Sequence, residues 1–492
     1  MEKKKKVTPY DLHGPVDLKL AIPLGLQHVL AMFVGNLTPL IVIAGACGIT
    51  ATSGDPEMAS LQIVLFQNAM LVAGIVTLVQ VAGLGPCGSR MPIVMGTSAG
   101  FIGVCSSAAA ACGGGLIGYG AVLGASLIGG FFEGAMGVCL KKLRKFFPCT
   151  VTGISVLTIG LSLVPVGIRY FGGGNANKDY GSAENLLLGL AVLIIIIALK
   201  HFTKGFTSVS AILIGIICGY IIATIMGFVL PHTYTYTETV DGVEVVREAT
   251  KSWVINWSAI GEASWFSVPK LFPVKLVFDI RAILPIAIMF IVTTIQTIGD
   301  ISGVAAGGLN REATDSELSG GIICDGLGSS FAALFGVLPN TSFGQNVGLV
   351  TMNKVVNCFT IGTGAIFLII CGLLPKVSAI ISIMPQSVLG GAAVMMFASI
   401  CVSGINLITS RKLTTRSITV VAVALGLGYG LGNDASVLQF MPEGVQLIFG
   451  GSGVVPACVI AIILNIILPK GKDDYELEEQ EKAAALKKEA AN

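Results

Sequence analysis

The sequence predicts an all-α polytopic membrane protein, with fourteen transmembrane segments in a 7+7 inverted repeat and short broken segments at the third and tenth positions. Three observations lead there. Charged residues make up 12% of the 492 and hydrophobic ones 53%, whereas soluble domains carry about 25% charged residues. Apolar runs of about 20 residues, the length that crosses a bilayer, recur from end to end. Two further stretches, Pro92-Ile-Val-Met-Gly-Thr-Ser-Ala-Gly-Phe101 and Leu338-Pro-Asn-Thr-Ser-Phe-Gly-Gln-Asn-Val-Gly-Leu-Val350, are too short and too broken by Gly and Pro to be ordinary spanning helices. Irregular backbone at membrane depth persists only where it lines a cavity, so paired interruptions point to a transporter's binding site.

In chain order, the apolar runs place spans near 20–43, 58–80, 115–138, 146–167, 184–199 and 208–230. In the second half they fall near 280–304, 318–337, 355–374, 386–404, 415–432 and 445–468. The broken segments, at 92–106 and 340–353, bring each half to seven. The leading Met1-Glu-Lys-Lys-Lys-Lys6 runs into a polar stretch, so no cleavable signal is expected. An even number of spans puts both termini on one side. Most of the 30 Lys and Arg then fall on that side, including Lys3 to Lys6, Lys141-Lys-Leu-Arg-Lys145 and Arg411-Lys412. The positive-inside rule makes it the cytoplasmic side of the cell membrane.

The halves also match locally. Pro148-Cys-Thr-Val-Thr-Gly153 opens the fifth span and Pro385-Gln-Ser-Val-Leu-Gly390 the twelfth, both reading Pro-x-x-Val-x-Gly. Seven is odd, so a repeat of seven spans runs through the bilayer upside down the second time. Between the halves, Pro231–Lys275, with its alternating His232-Thr-Tyr-Thr-Tyr-Thr237, is expected to form a small external hairpin. The charged tail from Lys470 to Asn492 is expected to be a solvated helix. The 63 glycines lie within apolar runs and fit close helix packing. The 12 cysteines form no CxxC pair and the four histidines show no ligand spacing, so no metal and no cofactor is expected. No GxxxxGK[ST] loop is present to support ATP-driven transport.

Polar side chains within spans are costly, about 2.5–3.5 kcal/mol for a central Asp, so each needs a reason. Gln296 and Asp300 stand four apart in Thr293-Thr-Ile-Gln-Thr-Ile-Gly-Asp300 and share a helix face. Asp325 ends Gly320-Gly-Ile-Ile-Cys-Asp325, amid small residues, and Gln27-His28 interrupts the first span, where Asn36 follows. Gln345 and Asn346 follow the break in the tenth segment. The functional reading is a mid-membrane chamber in which Gln296 and Gln345 face a planar hydrogen-bonding ligand. An amide offers a donor and an acceptor, matching a nucleobase edge. Half-helix N-termini near Thr97–Gly100 and Phe343–Gln345 add free backbone N–H groups and a positive dipole end. The plainer alternative is that these groups hydrogen-bond one another between packed helices. Asp300 or Asp325 is the expected carrier of a proton, or the neighbour of a cation, during each cycle.

Together these residues resemble the nucleobase–ascorbate transporters, also called the nucleobase:cation symporter-2 or xanthine/uracil permease family. The resemblance is carried by Pro339-Asn-Thr-Ser-Phe-Gly344 and Gln345-Asn-Val-Gly-Leu-Val-Thr-Met-Asn-Lys354. It extends to Gln27-His28, Gly96-Thr-Ser98, Gly299-Asp300, Asp325 and Gln386 to Gly391. It implies a core domain (20–140 and 280–384) moving against a gate domain (141–230 and 385–469), with cytoplasmic tails at 1–19 and 470–492, an external loop at 231–279, and a homodimer. It also implies a short strand in each broken segment. On that analogy Gln345 contacts the base, Asn346, Phe343 and Gly344 stand beside it, and the backbone of Ala99, Gly100 and Phe101 approaches the ligand. Asp300, Asp325 and His28 correspond to residues that serve transport or coupling to H+ or Na+. Two departures stand out: family members usually carry Glu where this chain has Gln296, and Thr where it has Asn353. A neutral amide still bridges a base edge but carries no proton. Gln345-Asn346 looks more like xanthine and urate permeases than uracil permeases, so import of a purine base is expected, with uracil or another nucleobase as the alternative.

Two rivals remain. An anion or dicarboxylate carrier of the same architecture would want a basic site, yet the broken segments hold no Lys or Arg before Lys354. A membrane-embedded enzyme would want a metal constellation or a Ser/Lys or Ser/His pair, and His28 is the one histidine well inside a span. Neither an enzyme nor a nucleic-acid partner is expected.

Overall fold

A computed structural model describes residues 7–50, 55–139, 148–174, 177–240, 243–450, 452–477 and 479. Lys3 to Lys6, Lys141-Lys-Leu-Arg-Lys145 and the tail from 480 on lie outside the described residues. The apolar runs become helices whose ends are set by capping chemistry. Asp17 accepts from the Lys19 amide to start α1 (Leu18–Ala46), and Asp55, followed by Pro56, starts α2 (Pro56–Ala82). The first broken segment is a strand, β1 (Met95–Thr97), a single 3-10 turn and a short helix, α3 (Ile102–Ala111). After it come α4 (Gly115–Val138), α5 (Cys149–Phe171), α6 (Ala183–Phe202) and α7 (Ala211–Val229). The expected hairpin is present as β2 (Thr233–Val240) paired antiparallel with β3 (Val243–Thr250).

The second half begins with α8 (Ile280–Leu309), capped by Asp279, and α9 (Asp315–Leu334), opened by a Thr314/Glu317 capping box. The second broken segment is again a strand and a half-helix, β4 (Asn340–Ser342) and α10 (Gly344–Asn353). Then follow α11 (Cys358–Gly372), α12 (Gln386–Thr409), α13 (Thr415–Asn433) and α14 (Val454–Ile467). Both Pro-x-x-Val-x-Gly motifs act as the sequence suggests, with Pro148 and Pro385 at the N-caps of α5 and α12.

Fourteen spans are more than the apolar lengths alone establish. Among the described residues nine helices are long and apolar enough to cross a membrane, or ten if α11 is joined to the helix Pro375–Ser382, bent 81° from it. α9 carries Asp315, Glu317 and Asp325 within its 20 residues, and α10 and α14 span only 10 and 14. The expected continuous span at 445–468 is corrected: helix Glu443–Gly450 ends, and α14 restarts after Gly453. Gly432 of α13 presses against that restart, where an added Cβ would stand 2.1 Å from the Gly453 nitrogen.

Packing follows a regular scheme. α2 lies on α11 and α4 on α9; α1 lies on α11 and α8 on α4; α6 pairs with α7 and α13 with α14. Moving seven helices along converts each pairing into its counterpart, and α5·α12 into itself. The α5·α12 contact is antiparallel, since Gly153, Gly160 and Gly167 meet Ile408, Cys401 and Val394 in turn. Glycines seven apart let the two backbones approach, with a Cβ at Gly160 falling 2.6 Å from the Cys401 nitrogen. The largest buried apolar cluster draws on α1 to α4, α8 and α9, while separate clusters join α6, α7 and α12, and α5, α13 and α14. The cysteines with described side chains are free.

Candidate functional site

The two broken segments meet head to head. β1 and β4 pair antiparallel over three residues, Met95 with Ser342, Gly96 with Thr341 and Thr97 with Asn340, and all six are buried. Ser98 donates its amide to the Pro339 carbonyl at 2.8 Å, and Phe343 donates to Val94 at 3.0 Å. An isolated pair this short is not stable by itself; its neighbours hold it. The hydroxyl of Thr77 on α2 brackets Met95, accepting from its N–H at 2.9 Å and donating to its carbonyl at 3.3 Å. Ser329 on α9 does the same for Asn340, at 3.0 and 2.9 Å. At the other strand ends, Asn36 Oδ1 accepts from the Thr97 amide at 2.7 Å and Asp300 Oδ2 accepts from the Ser342 hydroxyl at 2.6 Å.

α8 supplies the expected shared face. Gln296 Nε2 donates to the Ser342 carbonyl at 3.4 Å while Asp300 takes the hydroxyl of the same residue. The Asp300 carboxylate also lies against the start of α10, 3.0 Å from where a Cβ on Gly344 would stand. A negative charge is favoured at that helix N-terminus. Asp325, fully buried on α9, accepts from Thr297 and, at 3.3 Å, from Thr341. Thr297 Oγ1 is itself 3.2 Å from Ser342 Oγ. One hydroxyl chain therefore joins Asp300, β4 and Asp325.

The remaining candidates divide. Gln345 opens α10 half-buried, and its Oε1 is buried with no hydrogen-bond partner. Asn346 turns to α1, where Nδ2 donates to the His28 carbonyl at 3.0 Å and lies 3.4 Å from His28 Nδ1. His28 is fully buried in that contact rather than among the carboxylates. Phe343 lays its ring between α1 and α12: a Cβ on Gly35 would stand 2.8 Å from Phe343 Cε1 and 3.3 Å from Met396 Sδ. Ala99, Gly100 and Phe101 form the 3-10 turn at the head of α3. The Phe101 side chain is buried against Phe290, ring centroids 4.8 Å apart, so only its backbone is placed to meet a ligand. A cavity of about 30 Å³ abuts Gly100 and is also lined by Ile159, Ser162, Ser452 and Val454. Around the strand pair, Thr97 Oγ1, Ser98 Oγ, Asn346 Oδ1 and both side-chain polar atoms of Asn340, Nδ2 and Oδ1, are buried without partners as well.

The sequence reading missed several of these residues. Thr77, Thr297, Thr341 and Ser329 are not among its candidates, because hydroxyls are unremarkable in packed helices; Asn36 is noted there as a polar residue within the first span but is not assigned to the site. It also missed Glu133, fully buried on α4 and receiving hydrogen bonds from Thr293 at 3.0 Å and Thr294 at 3.2 Å. The signal was available, since Glu133 is the one charged residue in the run 115–138.

Multiple apolar helices, paired interruptions and a cluster of buried polar groups at their crossing fit a multi-pass membrane permease. The family follows: a sequence model of the permease family, Xan_ur_permease, matches residues 19–434, and the chain belongs to that family, the nucleobase:cation symporter-2 permeases. It is a permease and not an enzyme. A purine-permease relative from Clostridium perfringens is 33% identical over 97% of both chains. The xanthine permease XanP of Escherichia coli is 29% identical over 91% of both chains. The uric acid transporter UacT of the same organism is 30% identical over 90% of this chain and 85% of its own. In fold, the chain resembles the transmembrane domain of the cyanobacterial bicarbonate transporter BicA, with a TM-score of 0.52, 15% identity and coverage of 93% of this chain and all of that one.

Proposed function

We propose that the chain is a secondary active transporter that imports a purine nucleobase, xanthine or urate, by ion-coupled symport with alternating access. The observation that carries the reading is the unpaired, buried Gln345 Oε1 at the head of α10, three residues beyond the Ser342 carbonyl that Gln296 binds. Two amides and two half-helix starts converge on the strand pair, presenting the mix of donors and acceptors that an oxopurine edge needs. The base is bound by Gln345 and Gln296, with Asn346, Phe343, Gly344 and the backbone of Ala99, Gly100 and Phe101 around it. Asp300, Asp325 and His28 serve coupling to H+ or Na+. The names of the relatives favour xanthine or urate.

Fourteen segments in two inverted repeats of seven are supported by the seven-step packing scheme, the antiparallel β1–β4 pair and the antiparallel α5·α12 contact. In this arrangement α1 to α4 and α8 to α11 form the core, and α5 to α7 and α12 to α14 the gate. Both termini are cytoplasmic and the working unit is a homodimer. The fold is shared with a bicarbonate transporter, which keeps an anion carrier in view. Against it, Lys354, the first basic residue after the break, lies at the far end of α10 and donates to the Gly307 carbonyl.

The test is uptake of labelled xanthine, urate, guanine, uracil and bicarbonate into vesicles, with wild type beside Gln345→Ala. Saturable purine uptake is expected in wild type and its loss in the variant, with membrane insertion unchanged. Normal uptake by Gln345→Ala removes the site.

A further inference from the structure

Glu133 stands outside the substrate frame, yet with Asp325 it is one of two fully buried carboxylates that accept from hydroxyls of α8. Its Oε1 accepts from Thr293 and Thr294, while its Oε2 is buried with no partner. Asp325 repeats the pattern, with Oδ2 holding Thr297 and Thr341 and Oδ1 buried without a partner. Thr293 and Thr297 are four apart on α8, so the two carboxylates approach one helix face a turn apart. Their backbones are also adjacent. α4 and α9 touch at Gly326, the neighbour of Asp325, where an added Cβ would stand 2.4 Å from the Gly134 nitrogen and 3.0 Å from the Glu133 carbonyl carbon.

Among the described residues the surroundings of Glu133 offer no counter-charge. The charge that acts on Glu133 is that of Asp325. Of the helices packed against α4, α9 adds the thiol of Cys324, α8 adds Asp300 two turns beyond Thr293, and α3 adds Cys105. His28 of α1 is engaged with Asn346, and Lys19 and Arg281 sit at helix starts. Two carboxylates side by side in a low-dielectric interior repel strongly when both are charged, and a proton held between them removes that cost.

We propose that Glu133 is a coupling residue: with Asp325 it forms a two-carboxylate site that carries one proton in each transport cycle. This rests on the reading of the chain as an ion-coupled nucleobase permease. The proton comes from water on the side where substrate enters, occupies Glu133 Oε2 or Asp325 Oδ1, and leaves to water on the other side, moving one positive charge. Its departure leaves two carboxylates supported only by threonine hydroxyls. Thr297 passes that change on, because it holds Asp325 and touches Ser342, the residue bound by Gln296 and Asp300.

The test uses the protein in vesicles with labelled xanthine and, in parallel, labelled urate, comparing wild type, Glu133→Gln and Glu133→Asp. Two measurements are made: exchange at equal pH, and uphill accumulation under an imposed gradient. One proton per base lets a gradient of about one pH unit accumulate substrate about tenfold. Wild type is expected to do both, Glu133→Gln to exchange within about twofold of wild type but lose accumulation, and Glu133→Asp to recover it. Glutamine keeps an acceptor for Thr293 and Thr294, and melting curves confirm that both variants are folded. Tenfold accumulation by Glu133→Gln overturns the proposal, as does accumulation driven by sodium alone. Wild type that exchanges neither xanthine nor urate overturns the substrate reading and, with it, this one.

Discussion

The two interrupted segments share a backbone plan and differ in chemistry. Each is a three-residue strand leading into a short helix. In each, a hydroxyl from the second helix of its half brackets the first strand residue: Thr77 at Met95 and Ser329 at Asn340. In each, a side chain from the first helix of its half holds the last strand residue, Asn36 at Thr97 and Asp300 at Ser342. The difference lies in what those positions carry. The first strand reads Met-Gly-Thr and is held by a neutral amide; the second reads Asn-Thr-Ser and is held by a carboxylate, with Asp325 behind it. The first segment thus supplies a frame of backbone and small residues. The second supplies side chains that offer hydroxyls, amides and a carboxylate, so the two matched segments are chemically unequal. Under the proposed function Gln296, Gln345, Asp300 and Asp325 lie on this side, with Glu133 and His28 on the first.

The largest expected effect breaks that asymmetry directly. Asp300→Asn converts the second clamp into a copy of the first. Uptake driven by an imposed pH gradient is expected to fall to the level of empty vesicles, and Asp325→Asn to do the same. The reverse change, Asn36→Asp, replaces the Nδ2 that donates to the Ala69 carbonyl with a buried carboxylate oxygen facing it and costs stability, about 1–3 kcal/mol or more, read as a lower melting temperature. If gradient-driven uptake survives Asp300→Asn and Asp325→Asn unchanged, the two halves are functionally equivalent and the carboxylates are structural.

A smaller effect sharpens the comparison at Gln296. Its amide donates to the Ser342 carbonyl at any pH. A glutamate there donates only when protonated, and when charged it faces a carbonyl and Asp300. Gln296→Glu is therefore expected to transport better as pH falls, with a steeper pH profile than wild type across the range from acid to neutral. A profile that rises with pH, or does not change, would place residue 296 away from the β4 frame.

Much of this was legible from residue order alone. Long apolar runs with uniform polarity locate helices to within a few residues, and Gly and Pro inside two short runs mark the breaks, because backbone regularity is what those residues disturb. Gln296 and Asp300 were placed together because helical spacing is fixed. The break between Gly450 and Val454 does carry such a mark, Gly450-Gly-Ser-Gly453 with Pro456 just beyond, which the reading of one continuous span passes over. Other features have no such local rule. The close approach of Gly432 that accompanies that break comes from another helix. The clamps at Thr77 and Ser329 depend on two helices and a strand far apart in sequence. Hydroxyls carry no signal until their partners are in place. Glu133 is different: a lone carboxylate in an apolar run was readable and deserved the same weight as Asp325.

The smallest effect tests whether the shared plan is structural on both sides. Thr77→Val and Ser329→Ala each remove one buried hydroxyl acceptor from a strand N–H, of Met95 in one case and Asn340 in the other. A buried donor left unpaired costs about 1–3 kcal/mol, and the strand geometry is otherwise the same, so the two variants should lose similar stability. Melting temperatures measured side by side are expected to fall together, with both proteins keeping gradient-driven uptake. The Ser329 hydroxyl hydrogen-bonds the Asn340 backbone, whereas the charge-bearing partners of β4 are Asp300 and Asp325. Loss of coupling in Ser329→Ala but not in Thr77→Val would mean that strand position on the second side, and not carboxylate chemistry alone, sets the coupling.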